Sequence, residues 1–112
     1  MKLKINRKKW IRGEGEIYSY LLRTADYKMC CVGFYLKACG VKSRLLADNS
    51  TPTDTPIALP KKAHWLVNKD VNSASADILY AANDNMELSG KTREQRITKE
   101  FAKHDVEVEF VD

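Results

Sequence analysis

The sequence predicts a single α+β domain, with about three strands in one sheet packed against three or four helices. Its 112 residues are a common size for one domain, and a hydrophobic fraction of 44% is enough for one core. Polar and apolar residues alternate at both ends of the chain, which is the pattern of a strand with one wet face. Segments with helical spacing lie between these ends. We therefore expect residues 1–112 to form one domain.

The two ends of the chain predict neighbouring strands. Lysines alternate with apolar residues in 2–6, and glutamates alternate with apolar residues in 106–110. If the two strands pair, the apolar side chains share the core face and the opposite charges face each other on the solvent side. A third strand is predicted for residues 16–23, which follow the turn-prone sequence at 12–15.

The middle of the chain predicts a buried helix. Residues 29–40 are apolar at nearly every position, and a helix that is apolar almost all round is typically buried. Gly40 is a natural stop for this helix, and residues 43–47 predict a further short turn of helix. Residues 48–62 contain all three prolines and predict a loop.

Two more helices are predicted in the second half of the chain. Residues 73–82 have apolar residues at helical spacing, with Ser73 as a candidate N-cap and the polar sequence 83–85 as the terminator. Thr92 followed by Gln95 has the pattern of a capping box, which predicts the start of the last helix.

The composition favours a cytoplasmic protein without a membrane span. The longest weakly polar stretch, residues 29–36, is far shorter than the roughly 20 residues that cross a bilayer. The basic N-terminus is not followed by the apolar run of a signal peptide. Three cysteines, two of them adjacent, cannot all pair within one chain, which fits a reducing compartment.

The positive charge is concentrated in an N-terminal basic arm, residues 1–12. This arm holds six Lys or Arg and no acid, whereas the remaining residues hold thirteen bases and fifteen acids. Bases interleaved with an aromatic ring suit phosphate contacts combined with base stacking. A solvated turn after the first strand, with the tryptophan in the core, is the simpler interpretation; otherwise the arm binds an acidic protein or nucleic acid. The candidate binding residues are Arg7, Lys8, Lys9, Trp10 and Arg12.

The sequence contains no pattern that predicts a metal site or a cofactor. The candidate soft ligands lack the paired spacing of a zinc site, so we expect buried structural thiols. Those candidates are Cys30, Cys31, Cys39, His64 and His104.

No catalytic motif is complete, so we expect a protein that is not an enzyme. A serine elbow and a phosphate-binding glycine loop are both missing. The sequence Cys31-Val32-Gly33-Phe34 is similar to the nucleophile helix of NlpC/P60-type cysteine peptidases, in which the thiolate lies at a helix N-terminus. The usual preceding aspartate and following small polar residue are absent here. A cysteine hydrolase is therefore the least favoured alternative.

Three segments together resemble a family of small uncharacterised proteins encoded by tailed bacteriophages. They are RGEG at 12–15, KMCCVGFYLKACGV at 28–41 and HDVEVEFVD at 104–112. The resemblance implies a protein of the host bacterial cytoplasm that binds and modulates, most often inhibits, a host protein or defence system. The alternative is a nucleic-acid-binding module that uses the basic arm. The sequence leaves the identity of the partner and the oligomeric state open.

Overall fold

The two terminal strands lie side by side, as predicted. The computed structural model describes residues 1–52, 59–67 and 73–112, and within them β1 (Lys2–Asn6) pairs in parallel with β2 (Glu107–Val111). The register places apolar residues opposite apolar residues and lysines opposite glutamates. Lys2 Nζ lies 3.0 Å from Glu109 Oε2. The facing pairs that follow this rule are Lys2 with Glu107, Leu3 with Val108, Lys4 with Glu109 and Ile5 with Phe110; the fifth pair, at the strand ends, is Asn6 with Val111.

The prediction of a third strand at residues 16–23 is wrong. The sheet of the described residues has two strands, and residues 16–23 contribute only isolated bridges at Leu22 and Arg23. Three backbone N–H groups, those of Gly13, Gly15 and Ser19, are instead hydrogen-bonded to the end of a helix, because two glycines turn the chain across that end. A backbone N–H that is satisfied in this way needs no partner on a neighbouring strand.

The central helix is buried, as predicted. Helix α1 (Cys31–Ala38) packs against β1, and the short helix α2 (Ser43–Leu46) follows it where a helical turn was expected. Gly33 permits the close approach of α1 to the preceding segment, since a Cβ at this position would lie 1.9 Å from the carbonyl oxygen of Leu21. This contact explains a glycine in the middle of a helix, where it otherwise costs stability.

The last two helices form, and only the second of them begins away from its predicted start. Helix α3 (Ser73–Asp84) begins at Ser73, as predicted, and extends two residues beyond the predicted end at residue 82; the capping role of Ser73 lies outside what the structure describes. Helix α4 (Gly90–Ala102) begins before the expected capping box, because the Ser89 hydroxyl accepts a hydrogen bond of 3.1 Å from the Thr92 N–H. Ser89 is therefore the N-cap.

The predicted loop at 48–62 ends two residues earlier than expected. Residues 61 and 62 already belong to a 3₁₀ helix, Lys61–Leu66, which packs against α3. Residues 53–58 of this loop lie outside the described part of the chain.

The core lies between the sheet and the helices. Helix α4 packs on both β2 and α3, while α1 packs on β1 and α3. The three cysteines are buried and unpaired within this core, as the apolar segment around them predicted. No helix among the described residues combines the length and apolar content needed to cross a bilayer.

Candidate protein-interaction face

The C-terminal end of α3 carries a buried amide that joins three parts of the chain. The Asn83 side chain is only 1% exposed. Its Oδ1 accepts hydrogen bonds from the indole N–H of Trp10 at 2.8 Å and from the backbone N–H of Cys31 at 3.0 Å. Its Nδ2 donates to the carbonyl of Ile11 at 3.0 Å. Asn83 therefore fixes the end of α3 against both the basic arm and the start of α1.

The next residue, Asp84, holds a loop at both of its ends. The Asp84 backbone carbonyl accepts from the N–H of Gly15 at 2.9 Å. Its carboxylate accepts from the backbone N–H of Ser19 at 3.0 Å and from the Ser19 hydroxyl at 2.5 Å. Glu16, Ile17 and Tyr18 lie between these two anchors. They are consequently displayed at the surface on a loop whose ends are fixed.

Two glycines allow the chain to reach these anchors. Gly13 and Gly15 have φ angles of +64° and +77°, a region that other residues rarely adopt. The Gly13 N–H donates to the carbonyl of Asn83 at 2.7 Å, directly above the side chain of Arg93. A Cβ on Gly13 would lie 2.7 Å from Arg93 Nη2. The RGEG sequence is thus a turn that fits over the end of α3.

Arg93 supports this turn from below. The Arg93 side chain is 6% exposed and donates to the carbonyls of Ala82 at 3.1 Å and Asn85 at 2.5 Å. A cation is favourable where the carbonyls of a helix end are unsatisfied. Burial of the guanidinium lowers the Arg93 pKa from its ordinary value. Arg93 thus belongs, with Asn83 and Asp84, to a buried polar group beneath the exposed loop.

Large apolar side chains are exposed around this buried polar group. Ile17 is 82% exposed and Met86, just beyond α3, is 70% exposed. Tyr18, Tyr20 and Ile78 are each more than two fifths exposed. Tyr18 also makes an edge-on ring contact with Tyr80 of α3, with centroids 5.2 Å apart. We call the set of Ile17, Tyr18, Tyr20 and Met86, which line the two clefts described next, the apolar face.

Two clefts lie beside the loop of residues 16–18, and both are lined by residues of the apolar face. The first, a shallow and open cleft of about 350 Å³, lies between the loop and the end of α3 and is lined by Ile17 and Met86. The second, of about 330 Å³, is lined by Tyr18 and Tyr20. Glu16 lines both clefts. The four residues of the apolar face therefore line two clefts that adjoin at Glu16.

The surroundings of this face are acidic, although the whole chain is basic. Residues 13–20 and 77–87 contain five acids and no Lys or Arg, in a protein of net charge +4. Glu14 pairs with Arg23 at 2.9 Å. Within the described part of the chain, Glu16 and Glu87 form no ion pair. Negative charge at the face is thus left open to a ligand.

The basic arm, by contrast, is largely engaged by the protein itself. Arg7 forms a two-pronged pair with the Glu94 carboxylate, at 2.9 and 2.7 Å, and a further pair with Asp112 at 3.0 Å. These hydrogen bonds raise the Arg7 pKa. Trp10 is 3% exposed, so its ring cannot stack on a base in this conformation. The structure agrees here with the simpler interpretation of a turn with the tryptophan in the core.

The rest of the arm divides into a partly covered arginine and two open lysines. The Arg12 guanidinium lies 4.6 Å from the centre of the Trp10 ring and donates to the carbonyl of Arg7 at 2.8 Å. Lys8 and Lys9 are exposed, and neither forms an ion pair with any residue that the structure describes. Of the five candidate binding residues, only Lys8 and Lys9 are exposed.

The cysteines and histidines do not form a reactive site. Burial raises the pKa of the Cys30 thiol to about 12 and that of Cys31 well above its usual value, which opposes thiolate chemistry. The Cys31 thiol lies 3.9 Å from the carbonyl of Leu79, while the His104 ring stacks on Trp65. Among residues 1–52, 59–67 and 73–112, no group of three His, Cys, Asp or Glu is placed to hold a metal ion.

Sequence reasoning missed the apolar face because it assigned residues 16–23 to a strand. In that assignment Tyr18 and Tyr20 shared one face of a sheet and Ile17 pointed the other way. The signal that favours a displayed loop is the pair of glycines at 13 and 15, one on each side of a glutamate, directly before a run of large apolar residues.

No family model matches the chain, and comparison with curated proteins and with solved structures finds no match.

Proposed function

We propose that this chain binds and modulates another protein through its apolar face. The observation that carries the proposal is the exposure of Ile17 and Met86, at 82% and 70%, on either side of one cleft. Scattered exposed apolar residues are normal, but a contiguous apolar group rimmed by polar residues is typical of a protein-binding surface. The resemblance to tailed-phage proteins makes the partner a host bacterial protein, whose activity the bound domain inhibits.

The fixed loop favours tight binding. A partner that binds a mobile loop must order it, and that ordering offsets part of the interaction free energy. Here the bonds from Gly15 and Ser19 to Asp84 order the loop in advance. Tyrosines contribute large contact areas with few rotatable bonds, and they are enriched among residues that dominate interface energies. Tyr18 and Tyr20 are placed for this role.

The two alternatives have weaker support. A nucleic-acid module would use the basic arm, but its aromatic ring is buried and Arg7 is already paired with Glu94 and Asp112. The open charges, Lys8 and Lys9, account for few phosphate contacts. A cysteine hydrolase would need an accessible thiolate, whereas the thiols here are buried.

The test is capture from bacterial lysate with a matched pair of variants. Ile17→Ser combined with Met86→Ser removes the two most exposed members of the face, and Tyr27→Ser removes a side chain of similar exposure outside it, at 69%. The wild-type chain and the Tyr27 variant should retain one stoichiometric partner, and the double variant should lose it. The purified partner should lose activity on titration with the wild-type chain. Equal capture by the double variant would show that binding takes place elsewhere.

The nucleic-acid alternative has its own test. Lys8→Glu combined with Lys9→Glu changes only exposed charges, so the fold should be unaffected. If the chain bound duplex DNA with a steep salt dependence that this variant abolished, the arm would be the functional surface. We expect no such binding.

A further inference from the structure

We infer that the partner presents a basic segment to this face, with a Lys or Arg side chain in the cleft between Ile17 and Met86. This inference rests on the proposed function and specifies the chemistry of its partner. The ligand is a protein segment in which a basic residue lies beside an apolar one. The basic residue enters the cleft, and its apolar neighbour packs on the exposed tyrosines.

Charge complementarity is the first reason. The two segments that form the face contain five acids and no base. Two arginines lie close to it: Arg23 is paired with Glu14 and Asp26, and Arg93 is buried beneath the turn, so neither presents a free positive charge at the face. Complementary charge across an interface accelerates association and excludes partners of the wrong sign. An acidic partner, or a nucleic acid, would meet repulsion at this face.

The lining of the cleft is the second reason. Its walls include Ile17, Ala81 and Met86, and its carboxylates belong to Glu16, Asp84 and Glu87. Long basic side chains bury their methylene stems against apolar surface and keep the charged head at a polar end. A methionine wall adapts readily to the shape of such a stem. Apolar walls with carboxylates beside them match this two-part chemistry.

The availability of the carboxylates is the third reason. The Asp84 oxygens are occupied by Ser19 and Asn83, and Glu14 is paired with Arg23. Glu16 and Glu87 are exposed and unpaired within residues 1–52, 59–67 and 73–112. A charge-assisted hydrogen bond to either of them would therefore break no bond that holds the fold.

The experiment uses the whole chain and a random linear peptide library displayed on yeast. Peptides enriched on the wild-type chain should carry Lys or Arg beside a large apolar residue. The best peptide is then synthesised with a fluorophore, together with a version in which each Lys or Arg is replaced by Gln. Anisotropy titrations give the Kd at low and at moderate ionic strength.

Variants separate the inference from the proposed function. Glu16→Gln with Glu87→Gln should weaken peptide binding about tenfold or more, as should the Gln-substituted peptide, while Glu107→Gln should leave the Kd unchanged. Ile17→Ser should also weaken binding. Thermal melts of all variants should match the wild-type melt, because the three glutamates are exposed.

Any other outcome contradicts either the basic partner or the proposed function. If Ile17→Ser abolishes binding but the glutamate variant and the neutral peptide bind normally, the basic partner is wrong and the apolar face remains. If enriched peptides are neutral or acidic, or if none depends on Glu16, the inference also fails. If neither Ile17 nor the glutamates affect any capture, the proposed function fails with it. Glu16-dependent dimerisation in sedimentation would identify a second copy of this chain as the occupant, and would overturn the inference of a foreign basic segment.

Discussion

Replacing Asn83 by alanine tests whether one buried amide joins the basic arm, α1 and α3. The side chain forms hydrogen bonds with the indole N–H of Trp10, the backbone N–H of Cys31 and the carbonyl of Ile11. It also donates to Asp84 Oδ1, which would keep its bond from the Ser19 hydroxyl. The first three groups lie around a residue that is 1% exposed. Alanine removes the partner of each group without replacing it.

The expected loss of stability is large for a domain of this size. A buried polar group left without a partner costs about 1–3 kcal/mol. Three such groups, partly relieved where the structure relaxes, should lower the free energy of unfolding by about 3–6 kcal/mol. Domains are typically stable by about 5–15 kcal/mol, so the variant should be marginal or partly unfolded at room temperature.

Urea denaturation followed by circular dichroism measures this loss. The midpoint should fall while the slope with denaturant stays constant, because the change acts on the native state. The control is Asn85→Ala at the same helix end, where the side chain is exposed and accepts one bond of 2.9 Å from the Glu87 N–H. That variant should lose less than about 1 kcal/mol.

A double-mutant cycle with Trp10→Phe isolates the bond of the indole. Phenylalanine removes the N–H donor, so its cost should be smaller in the Asn83→Ala background than in the wild type. The reasoning would be refuted if Asn83→Ala lost no more than the Asn85 control, or if the two substitutions were additive. Either result would mean that the amide is not what joins these elements.

Three further predictions concern the core, the histidine and the sheet. Gly33→Ala should destabilise by about 3 kcal/mol or more in thermal melts, since its Cβ would lie 1.9 Å from the Leu21 carbonyl oxygen, whereas Gly90→Ala, with nothing within 4 Å, should be neutral or stabilising. Burial lowers the pKa of His104 below its ordinary 6.5, so the folded state disfavours the proton and stability should fall as pH drops below 6.5. His104→Phe should flatten that part of the pH profile, and an unchanged profile would exclude the histidine as its cause. Deleting residues 107–112 should unfold the domain, as judged by circular dichroism, because it uncovers the apolar side of the other strand; a truncated chain that melts like the wild type would contradict the pairing.

The terminal sheet was predictable because two independent signals agree. Alternation with a period of two assigns each end to a strand, and opposite charges on the polar positions favour their pairing. Lys2 and Glu109 meet as this reasoning requires, at 3.0 Å. The parallel direction was left open by the sequence, because alternation alone is the same in both directions. It follows from the helices that return the chain to the same end of the sheet.

The loop at 16–23 could not be distinguished from a strand by its alternation alone. Its alternation is real, since Ser19 is buried between the exposed Tyr18 and Tyr20. The cause is the carboxylate of Asp84, which lies 65 residues away in the sequence, and not a neighbouring strand. A period of two over a few residues is therefore compatible with a loop held at one polar residue.

For the basic arm, the charge counted along the sequence is larger than the charge that is unpaired in the structure. Six bases without an acid suggest a binding surface, yet the acids that neutralise Arg7 come from α4 and from the C-terminus. Segment charge therefore overstates the exposed charge wherever distant acids fold against it. Among the described residues, by contrast, Asp77 and Glu87 form no ion pair.

At the end of α3, the residues that stabilise the fold differ from the residues that are proposed to bind a partner. Asn83 and Asp84 are buried, and their hydrogen bonds stabilise the fold. Substituting them should therefore lower the stability of the fold and affect the apolar face only indirectly. Ile17 and Met86 project outward from the structure that this pair holds, so changing them should alter binding with little effect on stability. Because the two sets share no side chain, a loss of capture can be assigned to the face whenever the melting temperature is unchanged.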